Sequence, residues 1–175
     1  PDDLLQGLVD WTREHARRAR DDGKNTLAAM ACRVLARADD PDEALLKSLA
    51  AIPGATRAST RAHLADAAVA VGDMELATSL LQDIHIPHEV SSYRRFHSAG
   101  HDAAIVLDVL LRNDMDHPRT AELVRQLDDI RNARGWRTTF ESAAAVDALS
   151  RWYASAPATG DAQGTLTIAG QTIDI

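Results

Sequence analysis

Seven histidines are the first residues in this sequence to which metal or acid–base chemistry could attach. His85 and His88 flank Ile86-Pro87, and His97 and His101 stand four apart. That spacing brings two imidazoles to one face only on one continuous helix. Ser98 and Gly100 interrupt such a helix, and no Asp or Glu completes a recognised zinc pattern. The histidines are therefore expected at the surface or at helix ends. The alternative is a metal-binding or pH-sensitive cluster in the 85–101 loop.

The other reactive types say as little. The single cysteine, Cys32, excludes an internal disulfide and a Cys-based zinc site, and its apolar surroundings predict a buried small hydrophobe. Arg13, Arg17, Arg18 and Arg20 crowd the end of the first helix, where cations favour the helix dipole; an anion site is the alternative. Asp128-Asp129 has Arg125, Arg131 and Arg134 within helical reach, so a salt-bridged outer face is expected. There is no Gly-rich phosphate loop, no Gly-x-Ser-x-Gly and no local Ser/His/Asp arrangement. No catalytic, cofactor-binding or metal-binding residue, and no cofactor, is assigned, and the chain is not expected to be an enzyme.

Composition bounds the elements that would carry any site. The 175 residues suffice for one domain with a sizeable core. Apolar residues make up 45% but aromatics only 4%, so the core is built from Ala, Leu and Val, which suit close helix–helix approach. A formal charge of −7 argues against nucleic acid or an anionic membrane as partner. No signal peptide and no membrane-spanning run is evident. A chain opening at Pro1 rather than Met reads as a processed or excised piece.

Apolar residues at 3–4 spacing predict helices over about 3–19, 24–38, 56–71 and 101–112, an eighth that Gly135-Trp136 lead into and that ends near Tyr153, and shorter ones between. Asp40-Pro41-Asp42-Glu43 reads as a helix start, with Asp40 as N-cap, Pro41 in the first helical position and Glu43 closing a capping box. Gly72 is expected as a left-handed cap and Asp73 as the next N-cap, giving a tight antiparallel hairpin. Pro118 fits an early position of a seventh helix, and Thr138 with Glu141 forms a capping box for the eighth. After Pro157 the pattern changes to period two around Ala169-Gly170, a β-hairpin signature.

Ala28, Ala62, Ala103 and Ala143 mark four Ala-rich helices at intervals of 34 to 41 residues, with more charged helices between them. Inner Ala-rich and outer amphipathic helices are what stacked αα-hairpins require. The fold expected is all-α: stacked αα-hairpins over 1–157, forming part of an α/α toroid or an open solenoid, then a hairpin over 158–175.

Three stretches resemble the thioester domain of bacterial alpha-2-macroglobulin-like proteins. They are Leu64-Ala65-Asp66-Ala67-Ala68-Val69-Ala70-Val71-Gly72-Asp73, Tyr93 to Leu107, and Gly135-Trp136-Arg137-Thr138-Thr139-Phe140-Glu141-Ser142-Ala143. The third is similar to that family's Trp-x-Ser/Thr-Thr-Gln-x-x-Ala, with Phe140 in place of Gln. The family's Cys-x-Glu-Gln thioester is absent, because Cys32 is followed by Arg33-Val34-Leu35. The resemblance implies the later part of an α/α toroid, with the first strands of the next β domain, in a protease-trapping protein of the bacterial envelope, periplasmic or membrane-anchored. Target proteases would be met through the full-length protein. The chain itself would be a non-catalytic scaffold, with homodimerisation through exposed helix faces possible. The alternative is a tetratricopeptide-type module that binds peptides in a concave groove.

Overall fold

The computed structural model describes residues 2–52, 57–82, 84–86, 98–131, 136 and 138–155, and the backbone of 165–168 and 171–174. Among these the chain forms α1 (Asp2–Asp21), α2 (Asn25–Arg37), α3 (Glu43–Ala50), α4 (Ala58–Ala70), α5 (Met74–Gln82), α6 (Ala99–Arg112), α7 (Thr120–Ile130) and α8 (Thr139–Ser155). Two short strands, β1 (Thr165–Ile168) and β2 (Gln171–Asp174), pair antiparallel with Leu166 opposite Ile173.

The Ala-rich helices α2, α4, α6 and α8 pack side by side in that order. Cross-links fix their direction. Thr26 bonds Thr60 near the start of α2 and α4, and Arg37 bonds Asp66 further along both. Ser98 bonds Glu141 at the start of α6 and α8, and Asp108 bonds Arg151 further along. The four inner helices are therefore parallel. Helix α3 packs on both α2 and α4, α5 on α4, and α7 on α6, while α1 lies along α2.

Alanine makes this crowding possible. Ala28, Ala29, Ala62, Ala65, Ala68, Ala103, Ala104, Ala145 and Ala148 are fully buried, and so present almost no bulk between neighbouring helix axes. The gaps toward the outer helices are filled by Leu35, Leu45, Leu49, Leu64, Leu81, Leu107, Leu110, Leu123 and Leu127. Helices α4 and α6 are covered on nearly every side, whereas α2 and α8 each keep an open edge carrying Leu27 and Val34, or Val146 and Tyr153.

Several start signals act differently from the reading of local sequence. The N-cap of α3 is Asp42, whose Oδ1 accepts from Leu45 N–H at 3.1 Å, so Pro41 lies outside the helix. Asp40 is instead taken by Arg13, and Glu43 pairs with Lys47 at 3.3 Å. Pro118 sits in the turn before α7, which begins at Thr120. The Gly72-Asp73 hairpin is as expected: Gly72 has φ +82°, and Asp73 Oδ1 accepts from Leu76 N–H at 3.0 Å. Arg61 early in α4 donates to the carbonyl oxygens of Ser79 and Leu80 late in α5, so the two helices run antiparallel.

Candidate functional site

Polar side chains gather at both ends of the four inner helices, and the two gatherings are built differently. At the C-terminal ends lies an arginine–aspartate lattice. Asp66 on α4 and Asp108 on α6 are buried, at 0% and 5% exposure. Arg33 on α2 bridges them, with Nε 2.7 Å from Asp66 Oδ2 and Nη2 2.9 Å from Asp108 Oδ2. Arg37 adds two bonds to Asp66, and Asn113 Nδ2 donates to the same carboxylate at 2.7 Å. Asp108 further receives Arg112 from its own helix and Arg151 from α8, each at 3.1 Å.

Burial alone would raise both carboxyls, but hydrogen bonds and the arginine charges overcome it and hold them below the usual range. The bond to Asp108 likewise raises the Arg112 guanidinium against its burial. Arg33, Arg37 and Arg112, with Val34 and Ala38, line a cleft of about 450 Å³ on the α2 side of the lattice. A second depression of about 490 Å³ lies between α5 and the α6–α7 turn, lined in part by Met74, Thr78, Leu81, Met115 and His117.

At the N-terminal ends the polar groups are less completely paired. Glu141 on α8 is 1% exposed, and its Oε1 accepts from Ser98 Oγ at 2.9 Å. Ser98 is also the N-cap of α6, accepting from His101 N–H at 3.0 Å. The carboxylate lies against Gly100, where an added Cβ would overlap Oε1 and stand 3.0 Å from Cδ. Glu141 thus places negative charge on the first turn of a neighbouring helix, where the dipole favours it. Thr138 caps Glu141 N–H at 3.0 Å, as the local sequence predicts. The carboxylate's bond across to α6 is what that sequence does not show.

Beside this contact lie His63 and His101, 3% and 5% exposed. His101 stands in the first turn of α6, a helix end as expected, but it is buried, and His63, buried within α4, departs from the expectation of surface or helix-end histidines. Arg33 Nη1 stands 3.4 Å from His63 Nδ1; a guanidinium can only donate, so Nδ1 accepts and the proton sits on Nε2. Burial foremost, then Arg33 and His101, pushes the His63 imidazole down to about 4. His101 stacks on Phe140, ring centroids 4.7 Å apart, and its Nδ1 stands 3.9 Å from Asp102 Oδ1. Among the described residues, Ser59 Oγ, His63 Nε2, His101 Nδ1 and Asp102 Oδ1 find no hydrogen-bond partner.

The remaining sequence candidates do not join either cluster. Cys32 is buried, and burial foremost pushes its thiol up to about 12, which removes thiolate reactivity. His85 is exposed, while His88 and His97 lie outside the described residues, as does the loop between them. Asp128 and Asp129 are exposed, and among the described residues neither forms an ion pair with Arg125 or Arg131. Arg131 instead lies over Trp136, 6.0 Å from the ring centroid. Arg13 and Arg17 are held by Asp40 and Asp42, the former bond raising the Arg13 guanidinium. No three His, Cys, Asp or Glu side chains gather as a metal ion would need among the described residues.

The lattice residues Arg33, Asp66, Asp108, Arg112 and Arg151 carried no motif. The one sequence signal is partial: Arg33, Asp66 and Asp108 stand five, four and five residues after Ala28, Ala62 and Ala103, whereas Arg151 stands eight after Ala143. None of the described helices is long and apolar enough to cross a membrane. No family model, curated protein or solved structure matches the chain.

Proposed function

We propose that the chain is a non-catalytic helical scaffold, part of an α/α toroid from an alpha-2-macroglobulin-like protease-trapping protein. The observation that carries the toroid reading is the sharing of Asp108. Arg33 from the first inner helix and Arg151 from the last both reach its carboxylate, although α2 and α8 are separated in the row by α4 and α6. Such sharing between the first and last inner helices supports a row that curves inward rather than one that runs straight. The same carboxylates engage arginines that a tetratricopeptide-type module would leave free for a peptide.

The protease-trapping assignment rests on the three stretches quoted above. Two of them fall at element junctions: Gly72-Asp73 in the α4–α5 turn, and Thr138-Glu141 opening α8. In this reading the β1–β2 pair begins a following β domain, and the residues of the lattice transmit rigidity rather than react. The test is a shielding assay on the full-length protein. An endopeptidase that it has trapped should still cleave a small peptide substrate while a protein inhibitor no longer reaches it. Unchanged access of the inhibitor would sink the proposal. Saturable binding of short peptides to the arginine-lined face would point to the tetratricopeptide-type alternative.

A further inference from the structure

The depression between α5 and the α6–α7 turn differs in kind from the arginine-lined cleft. Leu81 and Leu110 give it a floor that belongs to the core, and Met74, Met115 and Pro118 continue the apolar lining toward solvent. Two of the chain's three methionines therefore stand at one surface feature. Methionine is unbranched and polarizable, so it adapts to apolar partners of differing shape. A volume of about 490 Å³ is in the range of sites that hold a ligand.

The charged side chains that line it carry one sign. Asp114 and Asp116 are both exposed, and among the described residues neither carboxylate takes part in an ion pair or a hydrogen bond. No Lys or Arg lines the groove. The cations nearest in sequence are engaged elsewhere, Arg112 with Asp108 and Asp147, and Arg119 with Glu122 and the Ile84 carbonyl. Helix α6 also ends at this edge, and a helix C-terminus adds negative potential. Both carboxylates and the helix end favour a cation at the same place.

Two further lining groups suit a peptide better than a simple cation. The Gln82 amide is exposed and unbonded among the described residues, and it can both donate and accept. His117 Nδ1 accepts from the Arg119 N–H at 3.3 Å, so the ring proton lies on Nε2 and can be donated to a carbonyl. We propose that this groove docks a basic peptide segment of a partner protein. An apolar side chain of that segment enters between Met74 and Met115, and a Lys or Arg beside it pairs with Asp114 and Asp116. The groove is formed by α5, α6 and the turn into α7 alone, so the inference is independent of the toroid reading.

The test adds the blocked peptide acetyl-Leu-Lys-Leu-Arg-Leu-amide to the chain and follows its methionine methyl signals by NMR. Saturable shifts are expected at Met74 and Met115, with a Kd below about 1 mM, while Met30 on α2 stays unmoved. Asp114→Gly combined with Asp116→Asn should weaken binding about fivefold to tenfold, because exposed ion pairs contribute little each. Added salt should act in the same direction. Glycine suits the φ of +50° at Asp114, so the turn is kept and the melting temperature should not fall. Methyl signals that do not move overturn the proposal, as do shifts that reach Met30 equally or a double variant that binds like the parent. Equal affinity for the same peptide with Gln in place of Lys and Arg would make the groove merely apolar. Equal affinity for a linear triamine would make it a site for small polycations, and either result overturns the peptide assignment.

Discussion

The two ends of the inner helices invite comparison, because both bury polar groups and they do so by opposite means. At the C-terminal ends both buried carboxylates meet more than one cation: Asp66 takes Arg33 and Arg37, with the Asn113 amide, and Asp108 takes Arg33, Arg112 and Arg151. At the N-terminal ends His63, His101, Asp102 and Ser59 keep atoms unpartnered among the described residues, and order comes from Ser98, which caps α6 and donates its hydroxyl to Glu141. A saturated lattice resists change in either partner, since removing one strands the other. An incompletely satisfied cluster is instead sensitive to volume and to protonation. The prediction is that one end responds to charge and the other to shape and pH.

The largest effect is expected at Asp108. Asp108→Ala leaves three arginines of three different contacts, Arg33, Arg112 and Arg151, without their common acceptor, two of them drawn from other helices. A loss of about 3–5 kcal/mol is expected for an uncompensated buried partner, measurable as a shift of the urea midpoint. A change below about 1 kcal/mol would show that the lattice is solvated and holds nothing.

His63 gives the other end its pH dependence. Its folded value is about 4 against an ordinary value of 6.5, so the protein holds it neutral. The unfolded chain takes up a proton first as pH falls. The stability from keeping His63 neutral is therefore complete above pH 6.5 and is lost between there and about pH 4. The loss should amount to roughly 3 kcal/mol. His63→Gln should flatten stability across that window, and an unchanged slope would remove His63 as its source. The depressed carboxyls Asp66 and Asp108 act in a separate, lower window. Their contribution is present above their ordinary value of 3.8 and is lost as pH falls below it.

Shape sensitivity is tested at Gly100. Gly100→Ala puts a methyl where the Glu141 carboxylate lies, and should destabilise by about 1–3 kcal/mol. Glu141→Ala removes the obstacle along with the acceptor of the Ser98 hydroxyl, so the double variant should be clearly less unstable than the sum of the two. Additivity would mean that the two residues do not touch. The smallest contrast compares one polar group from each end. Asn113→Ala breaks bonds to Asp66 and Arg37 and should cost about 1 kcal/mol. Ser59→Ala deletes a hydroxyl that has no bond among the described residues and should lie within about 0.5 kcal/mol of zero. If Ser59→Ala costs as much as Asn113→Ala, the two ends are not different in kind.

Period and composition are properties of neighbours along the chain, and so they were readable in advance. The Ala-rich inner helices, the Gly72-Asp73 turn and the all-helical class follow from spacing, backbone freedom and small side-chain volume. The curvature of the array does not follow from them, because curvature is set by contacts between helices. Where local signals competed, the fold decided. Asp40 and Asp42 are both good caps by type, but Arg13 takes the first, and the second is left to Leu45 N–H.

The candidate clusters were hidden for the same reason. Arg33 and Asp108 lie 75 positions apart, and nothing in either neighbourhood announces the other. Glu141 has the spacing of a capping box, and Thr138 does cap its amide. That its carboxylate also reaches Ser98 on a different helix depends on the close approach that Gly100 allows. The sequence by itself determined which residues form helices and which helices are thin enough to crowd. Only the tertiary structure decided which charges share a carboxylate and which histidines lose water, because burial and pairing arise where distant segments meet.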